Sequence, residues 1–372
     1  MFIDKMQKQQ DTRYSALRRA LETGVLVLDG SLGVQIQRLQ LAESEYRGRW
    51  FVTHPVPLAG NVDMLCLTAP ERVKRIHASY LRAGADIIET NTFNSTTLSQ
   101  SKYQLGDRVR ELNLAGARIA REAVDEFERL DPSHPRFVAG SMGPTAMAAS
   151  LPNDVNDPSR RAIDFDTLSD AAMQQAEALI EGGVDALLLE TCFDALNVKA
   201  QLHGIRRATR KLGADIPVFV SLTLSDASGR LLSGHTPEAI LSMVESFSPD
   251  VVGFNCGAGP ESLVSHIRNL AAVSPYRTIF YPNAGLPDRM GRYSQTARSF
   301  ADAVKPLLEE GLLNIVGGCC GTDDTHIHSV ASVVAQAATH LPPAVLTPWL
   351  SGIDAFYDDR GFINVGERCN VA

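Results

Sequence analysis

The sequence predicts a (β/α)8 barrel, the TIM-barrel fold of the α/β class, on two observations. Short apolar runs rich in β-branched residues recur along the chain, as buried parallel strands do. Segments with helical periodicity separate most of them, for example PERVKRIHASYLRAG (70–84). An open, doubly wound sheet is the alternative arrangement of the same elements. The predicted strands are residues 24–31, 85–93, 137–144, 184–192, 216–224, 251–257, 278–285 and 313–321.

The order of these elements divides the chain of 372 residues into three parts. Residues 1–20 are predicted to form an N-terminal helical extension, and residues 21–342 the barrel. Two long polar loops, 37–67 and 146–166, follow the first and third strands, where such loops usually shape a substrate site. Residues 343–372 contain prolines, an acidic turn and the strand-like FINVGE, so we expect a linker and the first strand of a further domain that is missing here.

Composition and charge argue against a nucleic-acid-binding protein and a membrane protein. Hydrophobic residues make up 44% and charged residues 21%, and the net charge of -8 is spread along the chain, so we expect no nucleic-acid partner. No apolar run approaches the roughly 20 residues that cross a bilayer, and the first 24 residues lack the apolar segment of a signal peptide. We therefore expect a cytoplasmic protein without membrane contact, in which unusual cysteine arrangements indicate metal binding or catalysis.

Polar side chains cluster where the predicted strands end, which in a barrel is the face that performs chemistry. Three of the six cysteines, Cys256, Cys319 and Cys320, follow the sixth and eighth strands, and we expect them to share one ion. Cys192, at another strand end, is the reserve candidate. The other polar residues at strand ends are Asp29, Gly30, Glu89, Asn91, Ser141, Glu190, Asn255 and Asn283.

Three thiolates match the ligand preference of Zn²⁺, and a site with three protein ligands leaves one position open for substrate. Because three thiolates outweigh the charge of the ion, such a zinc activates water poorly but can hold another thiol as thiolate. The expected reaction is alkylation of a substrate thiol. Gly317, Gly318 and Gly321 are predicted to let backbone N–H groups approach the sulfurs.

Residue types alone leave other interpretations open. Adjacent Cys319 and Cys320 can form a strained vicinal disulfide or pack as small buried side chains. Cys256 alone is typical of core packing. Asp29 and Glu190, each taken singly, can be helix caps or salt-bridge partners at the barrel mouth.

Eight motifs in chain order resemble the homocysteine S-methyltransferase family, in particular the homocysteine-binding barrel of its cobalamin-dependent methionine synthases. The resemblance runs from about residue 20 to the last residue. The pairing of GFNC with GGCCG also occurs in betaine- and S-methylmethionine-dependent members, whereas ETNTFNST, NDVNDP and the terminal FINVGERCNVA favour the cobalamin-dependent ones. The motifs are DGSLGVQIQ (29–37), GADIIETNTFNST (84–96), GSMGPT (140–145), NDVNDP (153–158), LLLETCFDALNVKA (187–200), GFNCGAGP (253–260), PNAGLP (282–287) and NIVGGCCGT (314–322).

The resemblance implies a ligand set for the metal. Cys256, Cys319 and Cys320 match the zinc ligands of the family. The sulfur of homocysteine would be the fourth ligand, and Asn283 matches an asparagine that can take that position when substrate is absent.

The resemblance also implies contacts with the substrate amino acid. Asp29 and Glu190 match acids that receive its ammonium group. The backbone N–H groups of Gly30 and Ser31 would receive its carboxylate, and Ser141 matches a serine that lines the same pocket.

The implied activity is methyl transfer from methylcobalamin to the homocysteine thiolate, which gives methionine and the reduced cob(I) form. Methylcobalamin and methyltetrahydrofolate would be carried by cobalamin-binding and pterin-binding modules, in cis or in trans, that this chain lacks. Two alternatives stay open: a free-standing betaine- or S-methylmethionine-dependent methyltransferase, and a non-catalytic zinc-binding or redox-sensing barrel.

Overall fold

A ring of parallel strands forms the centre of the molecule. The computed structural model describes residues 2–154, 156–335, 337–343 and 349–357, and within them the strands pair in the order β1-β8-β7-β6-β5-β4-β3-β2. A parallel bridge between Leu28 and Ile87 joins the two end strands, so the predicted barrel is confirmed and the open sheet is excluded. The strands are β1 (Leu26–Val27), β2 (Ile87–Glu89), β3 (Phe137–Met142), β4 (Ala186–Cys192), β5 (Val218–Leu222), β6 (Val251–Asn255), β7 (Arg277–Tyr281) and β8 (Ile315–Val316).

Helices surround the ring, and each of the eight strands is followed by one α-helix of at least eight residues. In the described part of the chain, no helix combines the length and the apolarity needed to span a bilayer. The α-helices are α1 (Phe2–Thr23), α2 (Leu32–Arg38), α3 (Glu43–Arg47), α4 (Leu65–Thr68), α5 (Pro70–Ala83), α6 (Thr97–Gln100), α7 (Val109–Leu130), α8 (Phe165–Gly182), α9 (Ala195–Leu212), α10 (Pro237–Val244), α11 (Pro260–Val273), α12 (Ala297–Glu309) and α13 (Asp324–Val334). Short 3-10 turns cover Val62–Met64, Ser101–Tyr103, Gly106–Arg108 and Glu245–Phe247.

Helix α1 closes the amino end of the barrel. Leu17 and Leu21 are fully buried and belong to the apolar cluster formed by the inward-facing strand residues. Arg13 binds Asp185, the residue just before β4, with an Nε–Oδ1 distance of 2.6 Å. Because α1 fills this end, the carboxyl end of the strands is the face that remains open.

The loop after β3, predicted to be irregular, contains an antiparallel hairpin. Its strands are Pro152–Asp154 and Asp157–Arg161, and Asp154 pairs with Asp157 across the turn. The hydroxyl of Ser150 donates to Asp194, the residue that caps α9. The NDVNDP motif is therefore the turn of a hairpin attached beside the barrel mouth.

A second hairpin lies in the segment predicted to be a linker. Trp349–Ser351 pairs with Ala355–Tyr357, and the carbonyl of Ile353 accepts the N–H of Thr236 at 2.9 Å. This part of the segment therefore contacts the barrel beside α10. The predicted strand FINVGE (361–366) and Cys369 lie outside the described residues, so the domain boundary remains a prediction.

Candidate active site

A cavity of about 230 Å³ opens at the carboxyl end of the barrel strands. Its lining includes Gly30, Ser31, Glu89, Ser141 and Glu190, together with the three cysteines that follow β6 and β8. Sites for drug-sized ligands are usually roughly 300 to 1,000 Å³. The cavity is therefore suited to a small metabolite.

The three predicted metal ligands meet at this cavity. The Sγ atom of Cys320 lies 3.9 Å from that of Cys256 and 4.0 Å from that of Cys319, and all three sulfurs are within 4.8 Å of one another. Tetrahedral zinc with Zn–S bonds of about 2.3 Å requires sulfur separations of about 3.8 Å. The donor type and the spacing therefore fit zinc, and no other such group occurs in the described part of the chain.

The thiols share their protons unequally. Hydrogen bonds from Cys319 and Cys320 lower the pKa of Cys256. Hydrogen bonds with Cys256 and Cys320, together with burial, raise the pKa of Cys319. One thiolate thus forms readily and disfavours the next, as expected for like charges in close contact. A divalent cation removes this conflict because it stabilises all three thiolates together.

The remaining described cysteines are placed away from this group. Cys192, the reserve candidate, is buried, and its Sγ lies 3.7 Å from the carbonyl oxygen of Leu189. Cys66 is also buried and donates to the carbonyl of Asn91 at 3.4 Å. Burial raises the pKa of both thiols, so they behave as small core side chains.

Gly317 and Gly318, two of the three glycines beside the cysteine pair, have a different role from the predicted one. The N–H of Gly317 donates to the carbonyl of Phe280 at 3.1 Å, and that of Gly318 donates to the carbonyl of Asp29 at 3.1 Å. Neither N–H is therefore available to a sulfur. The backbone N–H that lowers a cysteine pKa is that of Gly257, which bonds to Cys256. Close packing explains the two glycines instead, because a Cβ atom would lie 2.7 Å from the Cβ of Leu28 at Gly317 and 2.5 Å from the hydroxyl oxygen of Thr322 at Gly318.

Asn255, at the end of β6, joins the three clustered cysteines to the end of β4. Its Oδ1 accepts the N–H of Thr191 at 2.9 Å and the hydroxyl of Ser221 at 2.8 Å. Its Nδ2 points to the sulfur of Cys319 at 3.7 Å. Thr191 and Cys256 both have positive φ values, 57° and 59°, which non-glycine residues rarely adopt. Strained backbone at both strand ends is typical of a functional site.

The predicted ammonium-binding acids are buried, and no cationic side chain in the described part of the chain pairs with them. Asp29 is 1% exposed; its Oδ2 accepts the N–H of Glu89 at 3.1 Å, and its Oδ1 has no partner in the described residues. Glu190 accepts a hydrogen bond from the hydroxyl of Ser141. Burial raises the pKa of Glu190 to about 7 and that of Asp29 well above its ordinary value. Within the described ranges neither acid caps a helix or forms a salt bridge, so those alternative interpretations are excluded.

The predicted carboxylate-binding segment forms the start of α2. The hydroxyl of Ser31 caps this helix by accepting the N–H of Val34 at 3.2 Å. The N–H of Ser31 lies 3.3 Å from the hydroxyl oxygen of Thr322, a long contact. A Cβ atom at Gly30 would lie 2.9 Å from that same oxygen, so the close approach of the two loops requires glycine there.

Asn283 follows β7 and contacts Cys256, one of the three clustered cysteines. Its side chain is buried and its hydrogen bond contributes to the low pKa of Cys256. Its Oδ1 has no partner in the described part of the chain. The residue is therefore adjacent to the sulfurs, as its predicted role requires.

Asp63 is a buried acid, next in sequence to the cavity-lining Val62, that the sequence did not single out. Its Oδ2 accepts the N–H of Asn94 at 2.8 Å and the hydroxyl of Ser95 at 2.7 Å, which ties the loop after β1 to the loop after β2. Burial raises the pKa of Asp63 to about 6. An isolated Asp in a polar loop carries no sequence signal for this, because the burial arises only when the two loops meet.

Replacing Asp63 by Asn is expected to change the pH dependence of stability. A raised folded-state pKa means that the contribution of Asp63 to stability is complete below its unfolded pKa of about 3.9 and is lost as pH rises through about 6. Asp63→Asn should therefore gain up to about 3 kcal/mol on wild type between pH 4 and pH 8. Urea unfolding of both metal-free proteins across this range measures the effect; parallel pH profiles would contradict it.

Comparison with known proteins agrees with this geometry. A family model described as homocysteine S-methyltransferase matches residues 26–334. The chain belongs to the homocysteine S-methyltransferase family. It is therefore an enzyme of the methyltransferase class, and the match spans the whole barrel from β1 to α13.

Solved structures show the same fold at low sequence identity. The oxidised form of the homocysteine methyltransferase MmuM from Escherichia coli is 20% identical, with a TM-score of 0.66, over 83% of this chain and 95% of that one. The metallated form of MmuM is 20% identical, with a TM-score of 0.65, over 84% and 96% of the two chains. At this identity the likeness shows that the two proteins share the barrel fold.

Proposed function

We propose that this enzyme binds zinc and L-homocysteine in the barrel-mouth cavity and makes the homocysteine sulfur the acceptor of a methyl group from methylcobalamin. One observation carries the proposal. Three cysteine sulfurs within 4.8 Å of one another share a cavity with two glutamate side chains, and none of the described lining residues is Lys, Arg or His. Such a cavity suits a metal ion together with a ligand that carries a positive charge.

Cys256, Cys319 and Cys320 would hold the zinc ion. Bound there, zinc would keep the substrate thiol deprotonated at neutral pH, so that the sulfur is a nucleophile. The protein contributes orientation of the ligands. Asn255 bonds to the strained backbone at Thr191 and lies close to Cys319, which limits how far the ligand side chains can move.

The other predicted residues would bind the amino-acid end of homocysteine. Asp29 and Glu190 offer carboxylates for the ammonium group, and Ser141 holds Glu190 through its hydroxyl. The N–H groups of Gly30 and Ser31 are proposed to receive the carboxylate, with the long Ser31–Thr322 contact giving way to it. Two anchored ends place the sulfur at the cysteine cluster, and this positioning lowers the entropic part of the barrier.

Methylcobalamin as donor rests on motifs in the sequence. In the proposed reaction a sulfur–carbon bond forms, the cobalt–carbon bond breaks, and its electron pair remains with cobalamin. The donor would arrive on a cobalamin-carrying module, and methyltetrahydrofolate on a pterin-binding one. The motifs ETNTFNST, NDVNDP and FINVGERCNVA favour this donor over betaine or S-methylmethionine.

X-ray absorption on the zinc-loaded protein tests the substrate-ligand proposal. The spectra should show three sulfur neighbours at zinc, rising to four when L-homocysteine is added, because the substrate sulfur takes the open position. L-homoserine, which has a hydroxyl in place of the thiol, is the matched control and should leave the sulfur count unchanged. A constant sulfur count with homocysteine would rule out the proposed role of the metal.

The choice of donor needs a separate assay. Methionine formation should occur with L-homocysteine and free methylcobalamin, and should be absent with betaine or S-methylmethionine. Turnover with either small donor and without cobalamin would assign the chain to the free-standing class instead.

A further inference from the structure

The cavity contains one more acid than the sequence assigned to the substrate. Glu89 is the last residue of β2 and lines the cavity with Glu190. Asp29 contacts the backbone of Glu89, since the Oδ2 atom of Asp29 accepts the N–H of Glu89 at 3.1 Å. Two carboxyl groups therefore line a cavity that has no Lys, Arg or His among its described lining residues, and the third, Asp29, is buried next to Glu89.

Glu89 differs from the other two acids in its bonding. Glu190 is held by the hydroxyl of Ser141, and Asp29 by a backbone N–H. The Oε1 atom of Glu89 is buried and has no hydrogen-bond partner in the described part of the chain. The Oδ1 atom of Asp29 is also buried and has no partner among the described residues. Burying a carboxyl oxygen without a partner is costly. Packing therefore does not explain an acid at position 89, whereas a cationic ligand does.

Charge supports the same conclusion. Burial, followed by the charges of Glu190 and Asp29, raises the pKa of Glu89 well above its ordinary value. A positive group placed among the three carboxyls would offset this repulsion and allow more than one of them to ionise. The only cationic group of homocysteine is its ammonium.

We propose that Glu89 contacts the ammonium group of the substrate as a third acid beside Asp29 and Glu190, and so makes a free amino group a requirement for binding. This inference rests on the proposed function, since it assigns a further residue to the same substrate. Glu89 is therefore a binding and specificity residue. It lies at a strand end of the barrel, and such a rigid element holds a binding side chain more precisely than a loop does.

The test measures binding of two ligands to zinc-loaded wild type and Glu89→Gln by calorimetry. L-homocysteine carries the ammonium, and 4-mercaptobutanoic acid is the same molecule without it. Glu89→Gln keeps the size of the side chain but removes the charge. We expect it to weaken homocysteine about 10- to 100-fold, the effect of losing a charge-assisted hydrogen bond, and to change the binding of 4-mercaptobutanoic acid less than about twofold.

Glu122→Gln, an exposed acid on α7, is the matched control and should bind both ligands as wild type does. Equal homocysteine affinity in wild type and Glu89→Gln would overturn the inference. An equal loss for both ligands would overturn it as well, because it would indicate damage to the metal or the fold; zinc content and circular dichroism are measured alongside. Failure of wild type itself to bind homocysteine would instead refute the proposed function.

Discussion

Alanine at Cys256, Cys319 or Cys320 should abolish stoichiometric zinc binding and methyl transfer. The three sulfurs lie within 4.8 Å of one another, so removing one leaves two thiols, too few to hold a zinc ion firmly. The loss of activity should exceed the roughly 10- to 100-fold that is typical when a residue around the ligands is changed. Zinc is measured by elemental analysis of dialysed protein, and activity with L-homocysteine and methylcobalamin.

Cys66→Ala and Cys192→Ala are the matched controls. Both thiols are buried core side chains whose sulfurs lie near main-chain carbonyls. These variants should keep zinc and activity, with at most a modest loss of stability from the smaller side chain. Equal zinc content in all five variants would show that the metal site lies elsewhere.

Gly253→Ala should prevent stable folding of the barrel. Gly253 lies in the middle of β6 and pairs with Ile279 of β7. A Cβ atom at this position would lie 1.8 Å from the carbonyl oxygen of Ile279 and 2.7 Å from its carbonyl carbon. Because the obstacle is backbone in a paired strand, no side-chain rotation relieves it, and the expected cost exceeds the usual overpacking penalty of about 1 to 3 kcal/mol.

Gly24→Ala provides the control for this prediction. Gly24 precedes β1, and a Cβ atom there would meet nothing within 4 Å. Its free energy of unfolding should change by no more than about 0.5 kcal/mol. Soluble yield and urea unfolding are compared for both variants. Gly253→Ala with the stability of Gly24→Ala would show that β6 and β7 are not paired in this register.

The strands could be predicted because they depend on local sequence, and the cysteine cluster because it follows from the strand ends once the barrel is assumed. Fully buried parallel strands must be continuously apolar, so the run VVGFN was recognisable as β6 without any partner. Once the barrel was assumed, the residues after each strand were expected at one face, which brought Cys256 and Cys319 together. The family could be recognised for the same reason, since most of the motifs that carry the resemblance lie at strand ends, and the family model matches residues 26–334.

The loops and the buried acids could not be predicted in the same way. The hairpin formed by Pro152–Asp154 and Asp157–Arg161 is polar, and its placement depends on a contact between Ser150 and Asp194. The sequence placed Glu89 only as a polar residue at a strand end and did not single out Asp63, and it predicted burial for neither. Their burial arises from neighbours that are distant along the chain, which no local pattern records.

The chain by itself therefore determined the barrel, the face used for chemistry and the cysteines near the proposed metal, because hydrophobic periodicity and strand ends are local properties. The tertiary structure alone decided the charge environment of the cavity. It brought the N–H of Glu89 onto the carboxylate of Asp29, left the Oε1 atom of Glu89 without a partner among the described residues, and put Asn255 between Thr191 and Cys319. Electrostatic energies depend on distance and burial, and these are known only when the strands are closed into a ring.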